Sequence, residues 1–407
     1  MTVLGRAALV GSLLGSSLVV YACVGDEPER VVPSVDGGTD TGPSSSEDDA
    51  GEKVDGGNGN GDACDGGSTC EGVCVDTSSD PENCGRCAHD CGKGTCESGV
   101  CKPALIADVG DGGAAITSLT TDQTDDNPQG LAQRVFWSAT GTGGGVFQDN
   151  VVGGNKVTLS TAPPTSRSNV VVSQSNVFWF SQNFGGAPQP VLKGQVNIAA
   201  SQASVGTMNA SFIQSILYDA TTKNVVGSYA VNATQHGIFK CGPGGGVTCT
   251  SAITYSGQPG GNVATDGTGV YFCDPDNGLI LRTALTGGSS SSYVTNQATP
   301  NLLRVDGTNL YWSNSGTKTI QRGGLGGGTP KQLASAASAA DGLAADAVNV
   351  YWTETATGKL SYAPITGAGP TTAYVTLGAS TVPMRLVRDT GFLYFSHGTA
   401  IYRVALP

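Results

Sequence analysis

Asp306-Gly-Thr-Asn-Leu-Tyr-Trp-Ser313 decides how this chain folds, because the same stretch keeps returning. It is echoed by Asp266-Gly-Thr-Gly-Val-Tyr-Phe-Cys273, Asp346-Ala-Val-Asn-Val-Tyr-Trp-Thr353 and Asp389-Thr-Gly-Phe-Leu-Tyr-Phe-Ser396. Looser copies are Arg134-Val-Phe-Trp-Ser138 and Ser173-Gln-Ser-Asn-Val-Phe-Trp-Phe180, and a degenerate one without an aromatic pair runs from Asp219 to Ser228. With the first aromatic, or Val226, as marker, the copies sit at 136, 178, 226, 271, 311, 351 and 394. A spacing of about 40–45 residues, each unit holding several short strands, is the pattern of a β-propeller with four strands per blade. Seven units predict an all-β propeller of seven blades over residues 103–407.

The paired aromatics fit that architecture. Neighbouring residues on a strand point to opposite faces of the sheet, and a blade has another blade on each side. Both rings of Tyr311-Trp312 are therefore expected in the core, and all four tryptophans of the chain occupy this slot: Trp137, Trp179, Trp312 and Trp352. The Asp five residues before each Tyr stands where two strands reverse, so it reads as a turn cap rather than a metal ligand. Asp274-Pro-Asp276-Asn277-Gly278 lacks the alternating spacing of a calcium loop and reads as a turn too. Gly141-Thr-Gly-Gly-Gly145 opens no helix, so it is no phosphate loop. The units resemble YWTD and NHL-type propeller repeats, with Asp-x-x-x-(Leu/Val)-Tyr-Trp followed by Ile-x-Arg and a Gly-rich turn. YWTD propellers usually have six blades, which makes six the alternative count. The resemblance implies a fold and no particular activity.

The last unit ends at Ile401-Tyr-Arg-Val-Ala-Leu406, its third strand, while Ala104-Leu-Ile-Ala-Asp-Val109 is an apolar strand with no unit of its own. Two open edges would expose backbone hydrogen-bonding groups. Residues 104–109 are therefore expected to complete the blade of Tyr394 and clasp the ring.

Acid–base chemistry is sparsely supplied. The propeller region holds one Glu, Glu354, and two His, His236 and His397. Both His precede Gly after the aromatic strand, where exposed turns are expected. Glu354 and His397 come from the same turn of adjacent blades and are the weak catalytic candidates, since a His–carboxylate pair can act as a general base or hold a metal. Some NHL-like propellers are lyases, streptogramin lyase among them, but no residue-by-residue match carries over. No cofactor or metal is expected. Cys241 and Cys249 bracket a short loop and read as a disulfide; Cys273 is left as a small buried thiol.

Upstream of the repeats the composition changes. Residues 24–101 carry 18 acids and 4 bases, a net −14, whereas residues 102–407 carry 15 acids and 16 bases, a net +1. The overall charge of −12 argues against a nucleic-acid partner. Cys64, Cys70, Cys74, Cys84, Cys87, Cys91, Cys96 and Cys101 are too dense for a segment with so few apolar residues, so residues 63–102 read as a module held by covalent links. Cys84-x-x-Cys87 has zinc-ligand spacing, but an exported chain favours four disulfides of open connectivity. Asp80-Pro-Glu-Asn-Cys-Gly-Arg-Cys-Ala-His-Asp-Cys91, with Gly94-Thr-Cys96 and Gly99-Val-Cys101, resembles stigma-specific cysteine-rich modules, which implies a small extracellular unit and no activity.

Export itself is read from residues 1–22, where Arg6 precedes an apolar run from Ala7 to Tyr21. That is a signal peptide, too short at about 15 residues for a membrane-spanning helix. Val20-Tyr21-Ala22-Cys23 resembles the bacterial lipoprotein box, which implies a lipidated Cys23 and attachment to a membrane; ordinary cleavage and secretion is the alternative. Residues 23–62, rich in Gly, Asp, Ser and Glu, read as an acidic disordered linker. Two functions remain: a lipoprotein at the outer membrane or cell surface of a Gram-negative bacterium whose propeller binds a protein, peptide or glycan, or a secreted propeller lyase or hydrolase using Glu354 and His397.

Overall fold

The computed structural model describes residues 64, 67–109, 114–123, 130–161, 169–173, 175–181, 188–232, 236–242, 247–255 and 260–407, all in one compact unit, Asp62–Pro407. Residues 1–62, on which the expected signal peptide, the lipidation of Cys23 and the expected linker fall, lie outside the described residues.

Seven antiparallel sheets follow one another along the chain, each a four-stranded meander or built on one, so the blade count is seven rather than six. The first strand of each blade lies innermost, and the marker aromatic falls in the second: Arg134–Thr140, Asn176–Phe180, Asn224–Ala230, Gly269–Asp274, Asn309–Asn314, Asn349–Glu354 and Phe392–His397. The blade of Tyr394 closes as expected. Its inner three strands, Leu386–Arg388, Phe392–His397 and Ala400–Ala405, are followed by Ala104–Asp108, which runs antiparallel to Ala400–Ala405 with Ile401 opposite Ala107.

The alternation of the aromatic pair builds the ring. Tyr271 packs with Trp312 of the next blade, Tyr311 with Trp352, and Tyr394 with Trp137, each pair within one apolar cluster. Phe136 and Trp179 join blades 1 and 2 in the same way, and Tyr351 and Phe395 join blades 6 and 7. All four tryptophans are at most 1% exposed. Such rings remove some 150–250 Å² each from water and supply most of the burial between blades.

Blade 3 explains its own degeneracy. Its second-aromatic slot holds Gly227, opposite Phe239 of the third strand. A Cβ on Gly227 would stand 2.5 Å from the Ser215 carbonyl oxygen and 2.6 Å from the Phe239 ring. The bulk has moved to Phe239, which is fully buried beside Phe178 of blade 2. The loop after this strand is closed by the expected Cys241–Cys249 disulfide and adds a two-residue parallel strand, Val247–Thr248, to the outer edge of blade 2. That covers an edge otherwise open to pairing.

Polar side chains stitch blade to blade near the axis. The Asn169 amide accepts from Ile216 N (2.8 Å) and donates to Ile216 O (2.6 Å), and Asn262 does the same for Leu303 (2.7 Å each). Each amide thus replaces one rung of a sheet ladder between blades that do not share a sheet.

The cysteine-rich segment pairs Cys64–Cys74, Cys70–Cys87, Cys84–Cys96 and Cys91–Cys101. Its sulfurs are therefore committed to S–S bonds rather than to zinc. The buried half of this segment is continuous with the propeller: Cys84, Cys91, Cys96 and Cys101 share one apolar cluster with Tyr351, Leu360, Phe395 and Val404. His89 spans the junction, one ring nitrogen on Cys84 O and the other 2.8 Å from Leu406 O. Lys93 Nζ donates to Val152 O of blade 1 at 2.8 Å.

Candidate functional site

The motif Asp residues are turn caps with a second task. Asp346 Oδ1 accepts from Val348 N and Asn349 N at 2.7 Å each, and its Oδ2 accepts from the Tyr351 hydroxyl at 2.7 Å. Asp389 repeats the pattern with Gly391 N, Phe392 N and Tyr394. Asp266 adds an arginine: Arg282, directly opposite Tyr271 in the ladder, reaches Asp266 Oδ2 (3.1 Å) and the Tyr271 hydroxyl (3.1 Å). Burial works to raise the Asp266 pKa, but the hydrogen bonds from Thr268, Gly269 and Tyr271 outweigh it and bring the pKa to about 2. Burial, reinforced by the Asp266 hydrogen bond, pushes Tyr271 up to about 12.

Blade 5 departs from this scheme. Asp306 Oδ1 accepts instead from Arg388 of blade 7 at 2.5 Å, and the buried Tyr311 hydroxyl has no acceptor among the described residues, facing the Arg322 guanidinium across the ladder. Arg388 also donates to Ala345 O of blade 6, so one guanidinium ties three blades together.

Glu354 and His397 do end the second strands of adjacent blades, yet each is engaged elsewhere. Glu354 is 2% exposed; Oε1 accepts from the Trp352 indole N–H (3.1 Å) and Oε2 from Ser338 N (2.8 Å). His397, half-buried, sets Nε2 at 3.0 Å from Gly378 O. Among the described residues no ion pair joins the two. His236 is not in an exposed turn. It opens the third strand of blade 3, opposite Ala230, the place that Lys359 holds opposite Glu354 in blade 6, so its ring lies inside the sheet and is fully buried. Cys273 is a buried thiol, as expected: burial pushes its pKa up, and Sγ sits 3.1 Å from Asn301 O. The Asp274 turn is capped by its own carboxylate, with Asn277 Nδ2 at 2.8 Å from Oδ2.

The concave site is the axial channel, which encloses about 720 Å³ and is lined by residues of all seven inner strands or the turns leading into them. That lies within the usual 300–1,000 Å³ of small-molecule sites. Three of its polar groups stand out. Arg304 Nε, Arg385 Nε and Gln214 Oε1 are buried and have no hydrogen-bond partner among the described residues. Burial presses Arg385 below the ordinary arginine pKa, against the opposing pull of Asp341. None of the three was a sequence candidate, because inner strands carry no aromatic pair to mark them. Counting back from the motif Asp would have found the arginines, at two and four residues before Asp306 and Asp389.

These features define a seven-bladed β-propeller with a polar axial channel and a docked disulfide-rich segment. No protein-family model and no curated protein sequence matches the chain. Among solved structures, virginiamycin B lyase from Staphylococcus aureus is 11% identical, with a TM-score of 0.56 over 75% of this chain and 99% of its own. The computationally designed Ika8 protein is 14% identical, with a TM-score of 0.51 over 75% and 100%. A chain of a nidogen/laminin complex is 13% identical, with a TM-score of 0.43 over 53% and 77%. At these identities the likeness is one of fold, shared by an enzyme and by a designed chain alike. The five disulfides point to an oxidising, extracytoplasmic compartment.

Proposed function

We propose that this chain is a lipoprotein of a Gram-negative cell envelope, anchored to the membrane through Cys23, whose propeller binds a peptide, protein or glycan partner. Glu354 carries the choice of binding over catalysis. Both its oxygens serve structural donors, Trp352 and Ser338, and no ion pair links it to His397. A general base must lie within hydrogen-bond reach of the proton it takes, and this carboxylate, 2% exposed and held by structural donors, is a strand-end cap. The Val20-Tyr21-Ala22-Cys23 box supports the anchor, and the disulfides support export.

The competing reading is a secreted lyase working like virginiamycin B lyase through Glu354 and His397. Incubating the full chain with virginiamycin B separates the two, alongside a fluorescent glycan and peptide array. The binding reading expects array signal that survives the Glu354→Gln, His397→Ala double variant, and intact virginiamycin B. Turnover that disappears in the double variant would overturn it. Labelled palmitate should enter the wild type and not Cys23→Ser; two or more acyl chains hold a membrane stably where one does so only marginally.

A further inference from the structure

We infer that the axial channel takes a small hydroxylated oxyanion, a carboxylate or phosphate ester of sugar size, bound by Arg304 and Arg385 with Gln214 accepting from a ligand hydroxyl. The inference rests on the binding reading above and names the chemistry of its ligand.

The argument begins with donors left over. A guanidinium has five N–H groups and no acceptor. Arg304 Nη1 donates to Leu303 O at 3.3 Å, while its Nε and that of Arg385 are buried without a partner. A buried donor without an acceptor is destabilising, and more so when charged. Of the channel's own carboxylates only Asp341 bears on either, pulling Arg385 towards its charged form without forming an ion pair with it. Asp266 is paired with Arg282, Asp219 accepts from Thr222, and Asp341 Oδ2 accepts from Thr355 N at 3.1 Å. Among the described residues neither Arg304 nor Arg385 forms an ion pair.

Position decides the size of the guest. Arg304 lies on the inner strand of blade 5 (Pro300–Asp306), two residues before its motif Asp. Arg385 lies just before the inner strand of blade 7 (Leu386–Arg388), four residues before Asp389. Their side chains therefore leave the wall at levels about 7 Å apart along the axis, at ~3.3 Å per residue. Two forks at that offset suit one oxyanion plus its attached ring, and planar forks match carboxylate and phosphate oxygens. Gln214 Oε1, on blade 3 across the channel, lacks a donor. All three side chains line the channel while their orphaned atoms are closed off from its open space, so a ligand with an oxyanion at one end and hydroxyls at the other satisfies them by turning each side chain towards it, whereas a neutral sugar leaves the guanidinium donors with weaker partners.

The test is calorimetric titration of the full chain with D-glucuronate, D-glucose 6-phosphate and D-glucose. Saturable binding of at least one anion, at least about tenfold tighter than glucose, is expected from charge-assisted hydrogen bonds, and the stronger of the two identifies carboxylate or phosphate. Arg304→Gln and Arg385→Gln should each weaken it at least about fivefold with the melting temperature retained. If either fails to fold, Arg→Lys at the same position keeps the charge and should still weaken binding measurably. Glucose binding as well as both anions, or variants binding like wild type, would overturn the inference. Array binding that persists while neither anion binds would remove the channel site and leave the binding reading standing.

Discussion

The Asp–Tyr pair five residues apart is the smallest unit that repeats, and it shows how an ionised side chain is used structurally. Tyr351 donates to Asp346, whereas Tyr311, in the equivalent place, has no acceptor because Asp306 is taken by Arg388. Tyr351→Phe should therefore cost about 1.5–3 kcal/mol, the worth of a hydrogen bond to a charged group, and Tyr311→Phe distinctly less, since it forfeits only a contact with Arg322. Equal losses in urea denaturation would show that the hydroxyls do not matter. The folded-state depression of Asp266 to about 2 has its own signature. Its contribution is fully present above about pH 4, the unfolded value, and is lost as pH falls towards 2. The stability gap between wild type and Asp266→Asn should shrink over that window. The turn-cap half of the motif was legible, since Asp before a reversal has few other uses. The hydroxyl half was signalled only by the constant spacing, and the blade 5 exception by nothing local, because Arg388 arrives from 82 residues away.

At the scale of the element, the period gave the number of blades and the leftover strand gave the closure. Both follow from counting, since a four-strand unit with three strands must find its fourth. Ile106 tests the closure directly. It is 7% exposed and lies in the cluster that holds Tyr394 and Trp137. Ile106→Ala should cost about 2–4 kcal/mol, as for other buried aliphatic truncations. A neutral result in thermal unfolding would mean that Ala104–Asp108 does not complete the last blade. Less could be read where the compensation is non-local. Gly227 looked like decay of the repeat, but it is the space that Phe239 fills, and only the pairing of strands reveals that exchange. His236 differs for a related reason: the turn of blade 3 ends before it, so it opens the third strand opposite Ala230 as Lys359 does opposite Glu354, which only the pairing shows.

Across the whole molecule, the disulfide-rich segment and the ring share a core instead of sitting as beads on a string. The chain leaves Cys101, enters Ala104–Asp108 three residues later, and so goes straight from the Cys91–Cys101 bond into the strand that closes the ring. Breaking that bond should loosen both. Cross-linking a loop of this size contributes about 2–4 kcal/mol, chiefly by restricting the unfolded chain. In an independent module that loss would leave the propeller untouched. Here Cys91 and Cys101 pack in the same cluster as Tyr351, Phe395 and Val404, so it should pass into the ring. Tryptophan fluorescence reads the ring alone, because all four tryptophans lie in second strands of blades 1, 2, 5 and 6. The Cys91→Ser, Cys101→Ser double variant is therefore expected to lower the tryptophan-reported melting temperature by several degrees, in one transition. Cys64→Ser, Cys74→Ser serves as the control, since that bond lies in the same segment but outside the shared cluster. A double variant at 91 and 101 whose tryptophan melting matches wild type would show that the shared core transmits nothing, and that the ring closes by its strand alone.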